Sequence, residues 1–290
     1  MNWIEVNGTV LRYELCQGTP EPKGPTLVLI HEMGGSLESW DALCECQPSG
    51  TQVLRYDTRS AGLSAKVLGE LSIDAHAEDL HGLLAALGIE GPVAVVGVAV
   101  GAAIAIHFAA RYPERTSHLI GMAPACGVPA DARGATRARA AALRAEGLET
   151  LLPVLLEKTW PLALRTAPQV YEQFRLRWLT ADPEGFAATF AMLAGLDLDA
   201  DLPKLPPRTL LVAGQYDALR PMAEIERLAA LCPHSEAIQV ASGHFMPLQS
   251  PRLVAALVSQ YIYGELSAQA IYARFMEQPD HCIGPAEHAA

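Results

Sequence analysis

Six short apolar runs rich in β-branched residues, each followed by a stretch of helical periodicity, decide what this chain can fold into. They are "TLVLIH" (Thr26–His31), "TQVLRYD" (Thr51–Asp57), "PVAVVGV" (Pro92–Val98), "HLIGMAP" (His118–Pro124), "RTLLVAG" (Arg208–Gly214) and "EAIQVA" (Glu236–Ala241). Runs apolar on both faces suit strands covered on both sides, and strands joined through helices pair in parallel. Ahead of them, "IEVNGTVLRYEL" alternates apolar and polar residues around Asn7-Gly8, the signal of a tight hairpin. The expected fold class is therefore α/β: a mainly parallel twisted sheet with an N-terminal hairpin and helices on both faces.

Between "HLIGMAP" and "RTLLVAG" the rhythm stops. "TRARAAALRAEGLETLLPVLLEK" and "APQVYEQFRLRWL" carry helical spacing but no strand partner, which predicts an inserted helical cap over residues 130–198. The core then comprises residues 1–129 and 199–264, with Gly264 closing the last core helix. Residues 265–290 form a C-terminal extension with one helix, "SAQAIYARFME", and a polar, disordered end. A chain of 290 residues, half of them hydrophobic and 18% charged, can bury one such core with its insertion.

A net charge of −11 argues against nucleic acid, which requires a basic patch to neutralise phosphates. The charge is uneven, however: residues 133–180 hold eight basic residues against four acidic ones. A basic segment beside a site steers small anions toward it. Six dispersed cysteines fit a reducing cytoplasm better than a disulfide-stapled module. Neither a signal segment nor a membrane span is evident, and no spacing suggests a metal or an organic cofactor. The expectation is a cytoplasmic, cofactor-free protein, with a homodimer left open.

Four stretches fall at strand ends that point the same way, where open parallel sheets place their sites. They are "HEMGG" after the first core strand, Gly97-Val98-Ala99-Val100-Gly101 after the third, "GQYDALRP" with Asp217, and "ASGHFMP" with His244. The second has the setting of a G-x-S-x-G nucleophile elbow with Ala99 in the serine's place. With these stretches, "LRYDTRSAGLS", "DLHGLLAALGI", "FAARYPER" and "TADPEGFAATFAMLAGLDL" make the chain resemble the α/β-hydrolase fold family from Trp3 to Gly264. Within that family it resembles the 3-oxoadipate enol-lactonase-like hydrolases.

The resemblance implies roles. Asp217 and His244 match the acid and histidine, and the backbone N–H groups of Val100 and Met33 match the oxyanion hole. Two departures alter the chemistry. Ala99 has no hydroxyl, so no acyl-enzyme can form there; it stands either as the natural residue or as a substitution of the kind used to trap substrate. Glu32 stands where the family often has glycine, and is a candidate acid or base unless it pairs with an arginine such as Arg59. Trp160, Trp178 and Met246 are candidate pocket residues, and Arg137 a candidate anion ligand. His31 is expected to brace the oxyanion loop, His107 to be a satisfied buried histidine, and His76 and His81 to face solvent.

Three chemistries suit this degenerate triad. In the first, His244 activates water to hydrolyse a small carboxylate-bearing lactone or activated ester. In the second, the oxyanion hole holds an enolate during nucleophile-free decarboxylation or carbon–carbon cleavage of a β-keto acid, as the resemblance to methylketone synthases, with alanine at the elbow, permits. The third is a non-catalytic ligand-binding protein, which has no need of the Asp217 and His244 pair.

Overall fold

A computed structural model describes residues 2–16, 24–66 and 68–278. The predicted disordered end, 279–290, lies outside the described residues. The strands are β1 (Asn2–Val6), β2 (Thr9–Cys16), β3 (Leu27–Ile30), β4 (Val53–Tyr56), β5 (Val93–Val98), β6 (Thr116–Met122), β7 (Arg208–Gly214) and β8 (Ser235–Val240). The helices are α1 (Asp41–Glu45), α2 (Ile73–Ala86), α3 (Val100–Arg111), α4 (Arg133–Glu146), α5 (Leu152–Thr159), α6 (Pro168–Leu179), α7 (Pro183–Gly195), α8 (Met222–Leu231), α9 (Met246–Gln249), α10 (Pro251–Tyr263) and α11 (Ala268–Met276).

One eight-stranded sheet runs β1-β2-β4-β3-β5-β6-β7-β8. β1 and β2 join antiparallel through Asn7 (φ 48°) and Gly8 (φ 70°), both in the left-handed region that a type I′ hairpin turn requires. From β4 to β8 every pair is parallel. β3 lies between β4 and β5, so the chain leaves it first to one side and then to the other. The loops after β3 and β5 diverge at that point and open a crevice at the carboxyl edge of the sheet.

β3 and β5 are buried along their whole length because both faces of the sheet are covered. Leu80, Leu83, Ile104, Phe108, Ile225 and Leu228, from α2, α3 and α8, pack on one face. Trp40, Leu43, Leu253, Leu257, Tyr261 and Ile271 pack on the other, from the turn before α1, α1, α10 and α11. Helices α4 to α7 fall between β6 and β7 and bury an aromatic cluster of their own, with Trp160, Phe174, Trp178 and Phe186 joined by Phe245. Among the described residues no helix is long and apolar enough to cross a membrane.

Candidate active site

The elbow keeps its shape without its serine. β5 ends at Val98, α3 begins at Val100, and Ala99 between them is held at φ 54°, ψ −115°. That conformation is rare for a residue with a Cβ and costs on the order of 1–3 kcal/mol. Ala99 N–H donates to the Met122 carbonyl at 2.9 Å and its own carbonyl accepts from Ala103 and Ala125, so three contacts hold it there. The flanking glycines are steric necessities: a Cβ on Gly97 would overlap the Gly101 carbonyl, and one on Gly101 would overlap the Ile30 carbonyl. Val100, first residue of α3, has an N–H with no acceptor inside its own helix.

Asp217 and His244 are brought together from the ends of β7 and β8. His244 Nδ1–H donates to Asp217 Oδ2 at 2.7 Å. Oδ1 accepts from the N–H groups of Leu219 (2.8 Å) and Arg220 (3.2 Å). Burial works against the charge on Asp217, but His244 and these donors outweigh it and hold the carboxyl below its usual range. With Nδ1 protonated, Nε2 of His244 is the lone-pair acceptor. The histidine loop is fixed from behind by Gln249, fully buried, whose Oε1 accepts from Phe245 N–H and whose Nε2 donates to the Thr159 carbonyl, both at 2.8 Å.

The loop after β3 is braced by His31. Thr58 N–H donates to His31 Nε2 at 3.0 Å, so Nδ1 carries the proton and donates to the Glu32 carbonyl at 2.6 Å. Asp57, wholly buried, ties the same region down by accepting from Leu37 N–H and Leu63 N–H, each at 2.7 Å.

A cavity of about 260 Å³ has Met33, Ala99, Val100 and His244 in its wall, together with Leu155, Trp178, Phe190 and Phe245. Arg139 and Arg220 supply its cations. The elbow, both oxyanion candidates and the histidine thus share one largely apolar space. A second cavity, about 440 Å³, adjoins it: Met33 and Val100 line both.

Other expected residues lie elsewhere. Glu32 is 1% exposed and faces the second cavity, apart from His244; Arg59 does not pair with it but makes a bidentate contact with Asp79 at 2.6 and 2.7 Å. Trp160 lines neither cavity, because its indole is sealed in the aromatic cluster and its Nε1–H donates to the Leu164 carbonyl. Met246 packs under the sheet instead, and the preceding residue, Phe245, takes the cavity position. Arg137 points to solvent from α4; Arg139, two residues on, lines the cavity. His107 is half-buried and bridges Asp201 and Asp74. His76 is buried, not solvent-facing, and burial with nearby Arg59 and His31 pushes its pKa down to about 3.

The sequence matches the family described as the alpha/beta hydrolase fold over residues 25–251. Among curated relatives, 3-oxoadipate enol-lactonase 2 of Acinetobacter baylyi is 24% identical, covering 79% of this chain and 85% of its own length. A protein named putative carbamate hydrolase RutD from Caulobacter segnis is 27% identical over 84% of this chain and 94% of its own. Among solved structures, the enol-lactonase of Burkholderia xenovorans superposes with a TM-score of 0.81 at 23% identity, covering 90% of this chain and 99% of that one. A thermophilic esterase from Thermogutta terrifontis superposes with a TM-score of 0.82 at 27% identity, covering 94% and 100%. The strand order, the elbow between two obligatory glycines and the match over most of the length agree: this chain belongs to the α/β-hydrolase fold family.

Proposed function

We propose that the protein hydrolyses a small carboxylate-bearing lactone or activated ester with a water molecule, not a serine, as nucleophile. One observation carries this reading: His244, held by Asp217 at 2.7 Å, faces the same cavity as an elbow residue that has no hydroxyl. His244 Nε2 takes a proton from water as the oxygen adds to the substrate carbonyl. The N–H groups of Val100 and Met33 receive the resulting oxyanion, and each such donor contributes about 3–4 kcal/mol in comparable sites. As the tetrahedral species collapses, His244 returns the proton to the departing oxygen, and Asp217 keeps the imidazole oriented throughout.

The substrate class follows from the rest of the wall. Arg139 and Arg220 offer a carboxylate two guanidinium groups, while Leu155, Phe190 and Phe245 favour a short apolar body. Without a tethered nucleophile the leaving group must be good, as in an enol-lactone, and the relatives named as enol-lactonases support that choice. A second reading, loss of carbon dioxide from a β-keto acid, uses the same N–H pair for an enolate. The apolar wall favours it by weakening hydration of the departing carboxylate.

The test compares the Ala99 chain, Ala99→Ser and His244→Ala on an enol-lactone, a nitrophenyl ester and a β-keto acid. Water-based hydrolysis predicts enol-lactone turnover without an acyl-enzyme burst, lost in His244→Ala. Turnover of the β-keto acid alone favours the second reading. An inert Ala99 chain, with a burst and strong esterase activity in Ala99→Ser, would refute both.

A further inference from the structure

The second cavity is a built site that the proposed hydrolysis does not use. It lies between the loop after β3, residues 58–66, the end of α6 and the start of α7. Glu32 has one carboxylate oxygen satisfied: Ser39 Oγ–H donates to Oε1 at 2.8 Å, and Arg177 Nη1–H donates to that hydroxyl at 3.2 Å. Oε2 is buried and has no hydrogen-bond partner among the described residues. His76 Nε2, in the same wall, is also buried and without a partner among them. A buried acceptor left unmatched is costly, so a group supplying a hydrogen bond there binds with an advantage.

The other charges of the cavity are engaged. Lys66 Nζ donates to the carbonyls of Ala61, Gly62 and Ser64 at 2.6–3.1 Å. Arg12 is ion-paired with Glu38 and Asp57, and Asp182 Oδ2 caps α7 by accepting from Gly185 N–H at 2.8 Å. Glu32 Oε2 is thus the open carboxylate acceptor in this wall, and it selects for a donor.

We infer that the 440 Å³ cavity is a second substrate subsite, in which Glu32 Oε2 accepts a hydrogen bond from an ammonium or hydroxyl group on the substrate. This rests on Met33 and Val100 as the carbonyl-binding pair. Because those two residues line both cavities, a carbonyl held between them directs one arm toward Arg139 and Arg220 and the other toward Glu32. The substrate then carries a carboxylate at one end and a hydrogen-bond donor at the other. Glu32 is a specificity residue, not a proton carrier.

Calorimetric titration with pentylammonium, 1-pentanol and pentanoate separates the two arms. Pentylammonium or 1-pentanol binds the unsubstituted chain and binds Glu32→Gln at least tenfold more weakly, while pentanoate binds both alike. Preference for the amine identifies an ammonium arm, and equal binding identifies a hydroxyl. Thr189→Phe, which adds bulk to the cavity from α7 and leaves Glu32 in the chain, weakens the same probes and serves if Glu32→Gln does not fold. The inference is overturned if neither donor probe binds the unsubstituted chain, or if both variants bind them undiminished. Failure of pentanoate alone removes the carboxylate arm of the proposed hydrolysis and leaves the subsite standing.

Discussion

Gln249→Leu tests whether the histidine loop is held by the contacts described. Leucine nearly matches glutamine in volume, so the change removes hydrogen bonds with little cavity. Phe245 N–H, on a residue only 2% exposed, loses its acceptor, and the Thr159 carbonyl loses its better donor, keeping His244 N–H at 3.3 Å. An orphaned buried donor costs about 1–3 kcal/mol and a lost bond with a remaining partner about 1 kcal/mol, so the variant is destabilised by roughly 2–4 kcal/mol. For a chain of this size that lowers Tm by roughly 4–8 °C. His244 immediately precedes Phe245, and a catalytic group displaced by about 1 Å loses on the order of 100-fold in rate. Scanning calorimetry and steady-state turnover of the enol-lactone read the two effects. A Tm within about 1 °C of the unsubstituted chain, with unchanged kcat, would show that Gln249 does not position the loop.

Asp217→Asn reduces kcat by roughly three to four orders of magnitude with a small effect on KM, because an amide can favour the wrong imidazole tautomer; steady-state kinetics measure the split. The folded carboxyl sits below its ordinary 3.8, so Asp217 stabilises the fold fully above that pH and loses this contribution as pH falls through its folded value. Acid unfolding of Asp217→Asn is accordingly shallower below pH 3.8. His76 behaves in the same direction at higher pH: its folded pKa of about 3 lies under the ordinary 6.5, so the unfolded chain takes the proton first and stability falls as pH drops from 6.5 toward 3. Urea titrations of His76→Gln lack that component, and an unchanged slope between those pH values would count against a buried neutral imidazole.

Much of this was readable from residue patterns. All six apolar runs became strands, and Asn7-Gly8 became the hairpin turn, because period and turn chemistry are local properties. The elbow was legible through its glycines, whose spacing answers to backbone collisions. The misplaced side chains failed for other reasons. His76 lies three residues after Ile73 and four before Leu80, on the buried stripe of α2, so helical phase turns it inward although its polarity suggests solvent. Arg137 and Arg139 alternate in "TRARA", and only the tertiary placement of α4 decides which meets the cavity. Phe245 and Met246 adjoin in a turn, where no periodicity assigns direction. Glu32 stands out in the sequence, but no local pattern announces that the Ser39 hydroxyl, seven residues on, takes its carboxylate.

Ala99 sits in a backbone conformation that a serine nucleophile would need and that alanine does not use chemically. The strain, the glycines and the carbonyls that accept and hold the turn all remain. Alanine and serine codons can differ only in their first letter, so one base separates this elbow from one that carries the serine hydroxyl. The scaffold therefore need not be rebuilt for a serine mechanism to operate; the two elbows differ by a single oxygen atom.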